Sequence, residues 1–178
     1  LHGLQRYAEF IDAAEQLWHF AAEHGYGRHD PSQYFENVAW ALQSLDRYAE
    51  IEIWLDRLRE WVNSLDPDSL AEERPWLLGT EAGMLYYLHS YKPAEALARM
   101  RTLRTEVEAH GRTYTWRRLG DCFLTADLPQ DALQAYERAV AVFDPEKDKS
   151  SARDNAIACI DEAKAAIRKA KPFWRRWL

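Results

Sequence analysis

Apolar residues recur three and four positions apart along most of the chain, the spacing of one helix face, and no stretch shows the one-in-two alternation of a strand. Good helix formers (Ala, Leu, Glu, Arg and Gln) fill long stretches punctuated by Pro, Gly and Asp. The pattern predicts nine helical segments. The first runs from Leu4 to His24. The second follows Asp30-Pro31-Ser32-Gln33, an N-cap with Pro at N1 and Gln at N3, and continues to Ser44. The third covers Arg47 to Ser64 and stops at Asp66-Pro67, with a short turn expected around Ser69–Glu73. Pro75–Ser90 and Pro93–His110 form the next pair, closed by Gly111. Tyr114–Ala126 and Pro129–Phe143 form another, ended by Asp144-Pro145. Ser151-x-x-Asp154 reads as the capping box of a last helix that reaches Lys171, before Pro172.

The chain also resembles itself. Gly3-Leu4-Gln5-Arg6-Tyr7-Ala8-Glu9-Phe10 matches Ser44-Leu45-Asp46-Arg47-Tyr48-Ala49-Glu50-Ile51, and the same frame fits Lys92-Pro93-Ala94-Glu95-Ala96 and Leu128-Pro129-Gln130-Asp131-Ala132. Each is a turn, then Tyr or Pro, then an acid suited to the positive helix N-terminus, then a packing residue. The packing positions Phe10, Ile51, Ala96 and Ala132 are 41, 45 and 36 residues apart, a repeat with variable linkers.

Trp116-x2-Leu119-Gly120-x2-Phe123, followed by Ala132-x3-Tyr136-x2-Ala139, resembles the tetratricopeptide repeat (TPR), a 34-residue helix–turn–helix unit, across residues 113–146. In such a unit Gly120 lets two helices approach, Ala132 leaves room at the crossing, and Trp116, Phe123 and Tyr136 fill the space between repeats. Upstream the signature thins. Residues 32–65 keep size and polarity at Phe35, Val38, Ala39, Leu42, Ile51, Leu55 and Leu58. Residues 76–110 offer Gly83, then Ala96, Met100 and Leu103, with one extra residue between the helices. The linker from Asp66 to Pro75 is longer than the family's turn.

The resemblance implies an all-α, right-handed superhelical solenoid of about three helical hairpins. The divisions are a half-repeat helix (1–30), repeats at 31–65, 75–111 and 113–146, a capping helix (150–171) and a basic aromatic tail (172–178). In the cap, Ile157, Ile160, Ala163, Ala166 and Ile167 are expected to face inward. The start Leu1-His2-Gly3, with no Met, and the half-repeat both suggest a piece of a longer chain.

Candidate chemistry is sparse. His19, His24 and His29 are five apart, whereas ligands on one helix face need three or four. Cys122 and Cys159 sit in apolar helical runs, and Asp121 beside Cys122 disfavours a thiolate. There is no Gly-rich phosphate loop, nucleophile elbow or His-Glu-x-x-His pair. No catalytic residue, metal or cofactor is therefore expected, and the expected function is non-enzymatic protein binding.

In the family the first helices of successive repeats line a concave groove that holds a partner segment. The resemblance places Gln33, Glu36, Trp40 and Gln43 in it, then Glu81, Leu85, Leu88 and His89, then Tyr114, Arg117, Asp121 and Leu124. A one-residue shift would substitute Thr80, Met84, Tyr87 and Leu88 in the middle set. Asp121, where some relatives carry Asn, would repel a partner's terminal carboxylate.

Charge narrows the partners. Twenty-three Lys and Arg against 29 Asp and Glu give −6, which argues against a whole-body nucleic-acid binder. From Ala163 onward there are six cations and no acid, so residues 1–162 carry −12. The tail interleaves Phe173, Trp174 and Trp177 with Arg175 and Arg176. It suits packing on the body, contact with a second copy, an anionic membrane surface, or stacking on nucleic acid. A homo-oligomer bridged by this tail is one alternative to the peptide-binding scaffold, and a regulatory or substrate-recruiting module of a larger enzyme is another. With no signal peptide or apolar run of membrane-spanning length, the expected location is cytoplasmic.

Overall fold

The computed structural model describes residues 2–24 and 32–170, and the side chains of all these except 2, 3, 32 and 33. Among the described residues the chain is all-α, with eight helices and no strand: α1 (His2–His24), α2 (Ser32–Ser44), α3 (Ala49–Ser64), α4 (Pro67–His89), α5 (Pro93–His110), α6 (Thr113–Thr125), α7 (Pro129–Ala141) and α8 (Ser150–Ala170). No helix among them is long and apolar enough to cross a membrane.

Each helix packs on its neighbour in sequence from α1 to α8, and the even-numbered helices also pack on one another in order, α2 on α4, α4 on α6 and α6 on α8. The backbones of α3, α5 and α7 stay apart. The buried stripes repeat. Ile51, Trp54, Leu55 and Leu58 on α3 correspond to Ala96, Met100 and Leu103 on α5, and to Ala132, Ala135, Tyr136 and Ala139 on α7. These positions sit 3, 4 and 7 residues along each helix, on one face.

Two turns repeat as well. After α2, Asp46 adopts φ 57°, its N–H donates to Gln43 O (3.1 Å), and the N–H of Arg47 donates to Leu42 O (2.9 Å). After α6, Asp127 adopts φ 56°, with Asp127 N–H to Leu124 O (3.1 Å) and Leu128 N–H to Phe123 O (2.9 Å). This left-handed closure satisfies carbonyls that would otherwise end the helix unpaired, and Asp tolerates it better than most residues.

Four expectations are corrected. Residues 67–75 are the first turns of α4, not a linker, so eight helices stand among the described residues rather than nine. Asp66 caps α4, accepting from the N–H groups of Asp68 (3.1 Å) and Ser69 (3.0 Å), with Pro67 at N1. An interior Pro costs about 3 kcal/mol, yet Pro75 is buried within α4, its carbonyl accepts from Thr115 Oγ1 (2.7 Å), and Leu77 and Leu78 bury just beyond it. Tertiary burial overrides the local break.

Second, no extra residue separates the helices of the middle pair. Gly120 precedes Ala132 by twelve positions, and the residue twelve before Ala96 is Met84, which is fully buried. Gly83 is therefore not the counterpart of Gly120. Third, Gly111 ends α5 in extended backbone (φ −71°, ψ 140°) rather than the left-handed cap. Fourth, one apolar residue of each end helix lies off the buried stripe, although in the cap Ala163 is buried and Ile160, Ala166 and Ile167 are half-buried as expected. Ile11 is buried while Phe10 is only half-buried, and Ala156 is buried while Ile157 is 43% exposed.

Candidate functional site

Gly83 lies beneath a connected polar cluster of α2 and α6. A Cβ built there would lie 2.7 Å from Glu36 Cδ and 2.9 Å from Arg118 Nη2. Because Gly83 has no side chain, the Glu36 carboxylate of α2 and the Arg118 guanidinium of α6 meet over the backbone of α4 in an ion pair. Side chains of α2 and α6, two helices apart in this layer, thus touch across α4.

The pair continues into a network. Arg118 Nη1 lies 3.6 Å from Asp121 Oδ2, and Arg117 Nη1 donates to the same oxygen at 2.8 Å. The Tyr136 hydroxyl donates to Asp121 Oδ1 (3.0 Å), and the Tyr114 hydroxyl donates to Glu36 Oε2 (3.3 Å). Each of the four charged side chains is about one fifth exposed, so the pairing holds them largely out of water. Arg118 Nε is buried without a hydrogen-bond partner.

Aromatic rings adjoin the charges. The Tyr114 ring packs on Gly79, where a Cβ would lie 2.5 Å from Cε1, and Trp76 stands 5.6 Å from that ring while 41% exposed. Burial raises the pKa of Tyr87 and Tyr114. Burial first, and then the Asp121 charge, raise that of Tyr136. The hydroxyls of Tyr114 and Tyr136 are the two that donate to the carboxylates of the cluster. Two cations face two acids, so the cluster carries no net formal charge.

The structure brings Glu36, Tyr114, Arg117 and Asp121 together, as the repeat register expects, but spends them on one another. Glu81 does not join them. It pairs with Arg59 of α3 (3.2 Å) on the opposite side of α4, because α4 is turned by one position relative to the assumed register. Neither middle set fits: Leu85 and Leu88 of the first are buried, as are Thr80, Met84 and Leu88 of the shifted one, in which only Tyr87 is half-buried. Trp40 is exposed toward α1, edge-on to Tyr7 at 5.0 Å. Gln43 donates to Ser90 Oγ (3.1 Å). His89 is half-buried in the last turn of α4, about 9 Å along the axis from Gly83. The Gln33 side chain and Phe173, Trp174, Arg175, Arg176 and Trp177 lie outside the described residues.

Arg118, Trp76 and the role of Gly83 escape the sequence reading. Their one legible trace is the pair Gly79 and Gly83, four apart on a helix and so on one face. A second feature also escapes it: a cleft of about 570 Å³ between α3, α4 and α5. Its floor includes Leu58, Val62, Leu77 and Leu103, and its rim carries the pairs Arg59–Glu81 and Arg74–Glu106 (3.1 Å). The additional first turns of α4 supply Leu70 and Arg74.

Cys122 is buried and donates to Ala82 O (2.9 Å). Burial pushes its thiol up to about 12, and burial also raises the half-buried Cys159. An unfolded thiol ionises near pH 8.5, so above that pH the unfolded chain releases a proton that the folded chain keeps, and stability falls as pH rises, by about 1.4 kcal/mol per pH unit for such a group. The melting temperature of the native chain is expected to drop more steeply between about pH 9 and pH 11 than that of Cys122→Ala. Parallel slopes in the two melting series would place the thiol in a wetter environment. Among the described residues no three His, Cys, Asp or Glu side chains converge as metal ligands.

Fold and site define an all-α chain of repeating helix pairs with a charged, aromatic cluster where α2, α4 and α6 meet. Compared with protein-family models, curated proteins and solved structures, the chain matches none.

Proposed function

We propose that this chain is a TPR-like superhelical scaffold, non-enzymatic, that binds a segment of a protein partner along the inner face of α2, α4 and α6. The observation that carries this reading is the convergence of Glu36, Tyr114, Arg117, Arg118 and Asp121 over Gly83, beside the exposed Trp76. The repeated Asp46 and Asp127 turns and the ordered stacking of even-numbered helices support the superhelical part. The partner segment would lay an apolar side chain against Trp76 and Tyr114 while a charged group exchanges with the Arg117–Asp121 pair. Such exchange strands no charge, since Asp121 keeps Arg118 at 3.6 Å and the Tyr136 hydroxyl.

Pull-down from the native host with the full chain, quantified by mass spectrometry, tests this. Trp76→Ala and Arg117→Ala are each expected to lower capture of the same partner about tenfold, the scale of one lost anchor, with melting nearly unaltered. Arg74→Ala, on the cleft between α3, α4 and α5, is expected to leave capture intact. The reverse pattern would move the binding site to that cleft.

A further inference from the structure

The α1/α2 edge exposes a groove of about 520 Å³ lined by Arg6, Tyr7 and Phe10 of α1 and Asn37, Trp40 and Ala41 of α2. Trp40 is 46% exposed, and farther along α1 Leu17 and Phe20 are exposed as well. Elsewhere in the molecule the equivalent groove is filled. The pair α3/α4 is covered by α2, α5/α6 by α4, and α7/α8 by α6. Only the first odd–even pair, α1/α2, has no even-numbered helix upon it among the described residues.

The opposite edge presents such a helix. α8 packs on α6 and α7 through Ala156 and Ala163, as α4 and α6 pack on the pairs before them. Its outer side leaves Ile157 43% exposed, flanked at helical spacing by the exposed Arg153, Asp161 and Lys164. No odd-numbered helix follows α8 among the described residues, so nothing there plays the part that α7 plays for α6.

We propose that α8 of one copy seats in the α1/α2 groove of a second copy, joining the two head to tail. In that position α8 meets the second copy's α1 as α6 meets α7, and its α2 as α6 meets α8, so the helix register runs on across the junction. Ile157 covers Trp40 and Phe10. The signs also match in the antiparallel seating: with Ile157 beside Phe10, Arg153 approaches the exposed Asp12 and Asp161 approaches the exposed Arg6. The two contacting surfaces differ, so the association is heterologous and each copy added leaves one groove and one α8 open, giving chains that lengthen with concentration or a ring if the rotation closes.

Sedimentation of the 178-residue chain from about 1 to about 200 μM, the range of moderate to weak affinities, tests this. The native chain is expected to grow beyond a dimer. Trp40→Glu and Ile157→Glu alter exposed residues at opposite ends of the contact, and each alone is expected to be monomeric. An equimolar mixture of the two retains one intact groove and one intact α8, and is expected to form a 1:1 dimer and nothing larger. Should either glutamate variant melt early, Trp40→Arg or Ile157→Arg replaces it. A native chain that stays monomeric, association that survives in either variant, or a mixture that stays monomeric would each overturn the proposal. Association lost only on truncation after Lys171 would assign the contact to the tail, and overturns it too.

Discussion

Gly120→Leu is expected to lower stability by more than about 4 kcal/mol, enough to unfold the α6/α7 pair. A Cβ at position 120 would stand 2.4 Å from Tyr136 Cε1 and 2.6 Å from its Cδ1. Tyr136 is 1% exposed, and its hydroxyl is held by Asp121 at 3.0 Å, so the ring has nowhere to go. Its neighbours Ala132, Ala135 and Ala139 are small and buried, which is why the two helices lie so close. Gly120→Ala separates sterics from helix propensity. Ala gains up to about 1 kcal/mol within a helix, so a net loss in urea unfolding isolates the clash, and a net gain would mean that α6 and α7 are farther apart than described here.

Cutting the Glu36–Arg118 pair is expected to cost about 2 kcal/mol from either side, by urea unfolding of Glu36→Gln and Arg118→Met. The figure sits below the full cost of a buried pair because each side chain retains about one fifth of its exposure. Removing Arg118 strands Glu36 with only the Tyr114 hydroxyl, whereas Asp121 keeps Arg117 and Tyr136. The double variant Glu36→Leu with Arg118→Met is expected to recover more than half of the loss, since two apolar side chains avoid desolvating any charge. Additive losses in that cycle would show the two groups to be uncoupled and would remove the link between α2 and α6.

Helix positions follow closely from residue spacing. The ends of α5, α6 and α7 fall within one or two residues of the pattern's expectation, because Pro93 and Pro129 are pre-set for N1 and the apolar stripes have a single period. Pro75 misleads for a specific reason. Local propensity counts its missing N–H, but not the cap at Asp66 nor the burial of Leu77 and Leu78 that holds the helix together around it. The inner face is half legible. Glu36, Tyr114, Arg117 and Asp121 follow from the repeat register, while Arg118 and Trp76 depend on where α4 turns. Glu81 shows the consequence: one position of register sends a carboxylate to the other side of its helix.

By itself the amino-acid sequence determined that the chain is helical, where most helices begin and end, and which stripe of α2, α3, α5, α6 and α7 is apolar, since those properties depend on residues three to seven apart. Only the tertiary structure decided that α4 starts at Pro67, that Glu36 and Arg118 meet although 82 positions separate them, and that Arg117 and Asp121 are bound to each other. Those outcomes turn on the rotation of α4 between its two neighbours, which is set by Gly79 and Gly83 admitting the Tyr114 ring and an ion pair where any side chain would collide. A helix's period is a local property, whereas its rotation is fixed by what it touches.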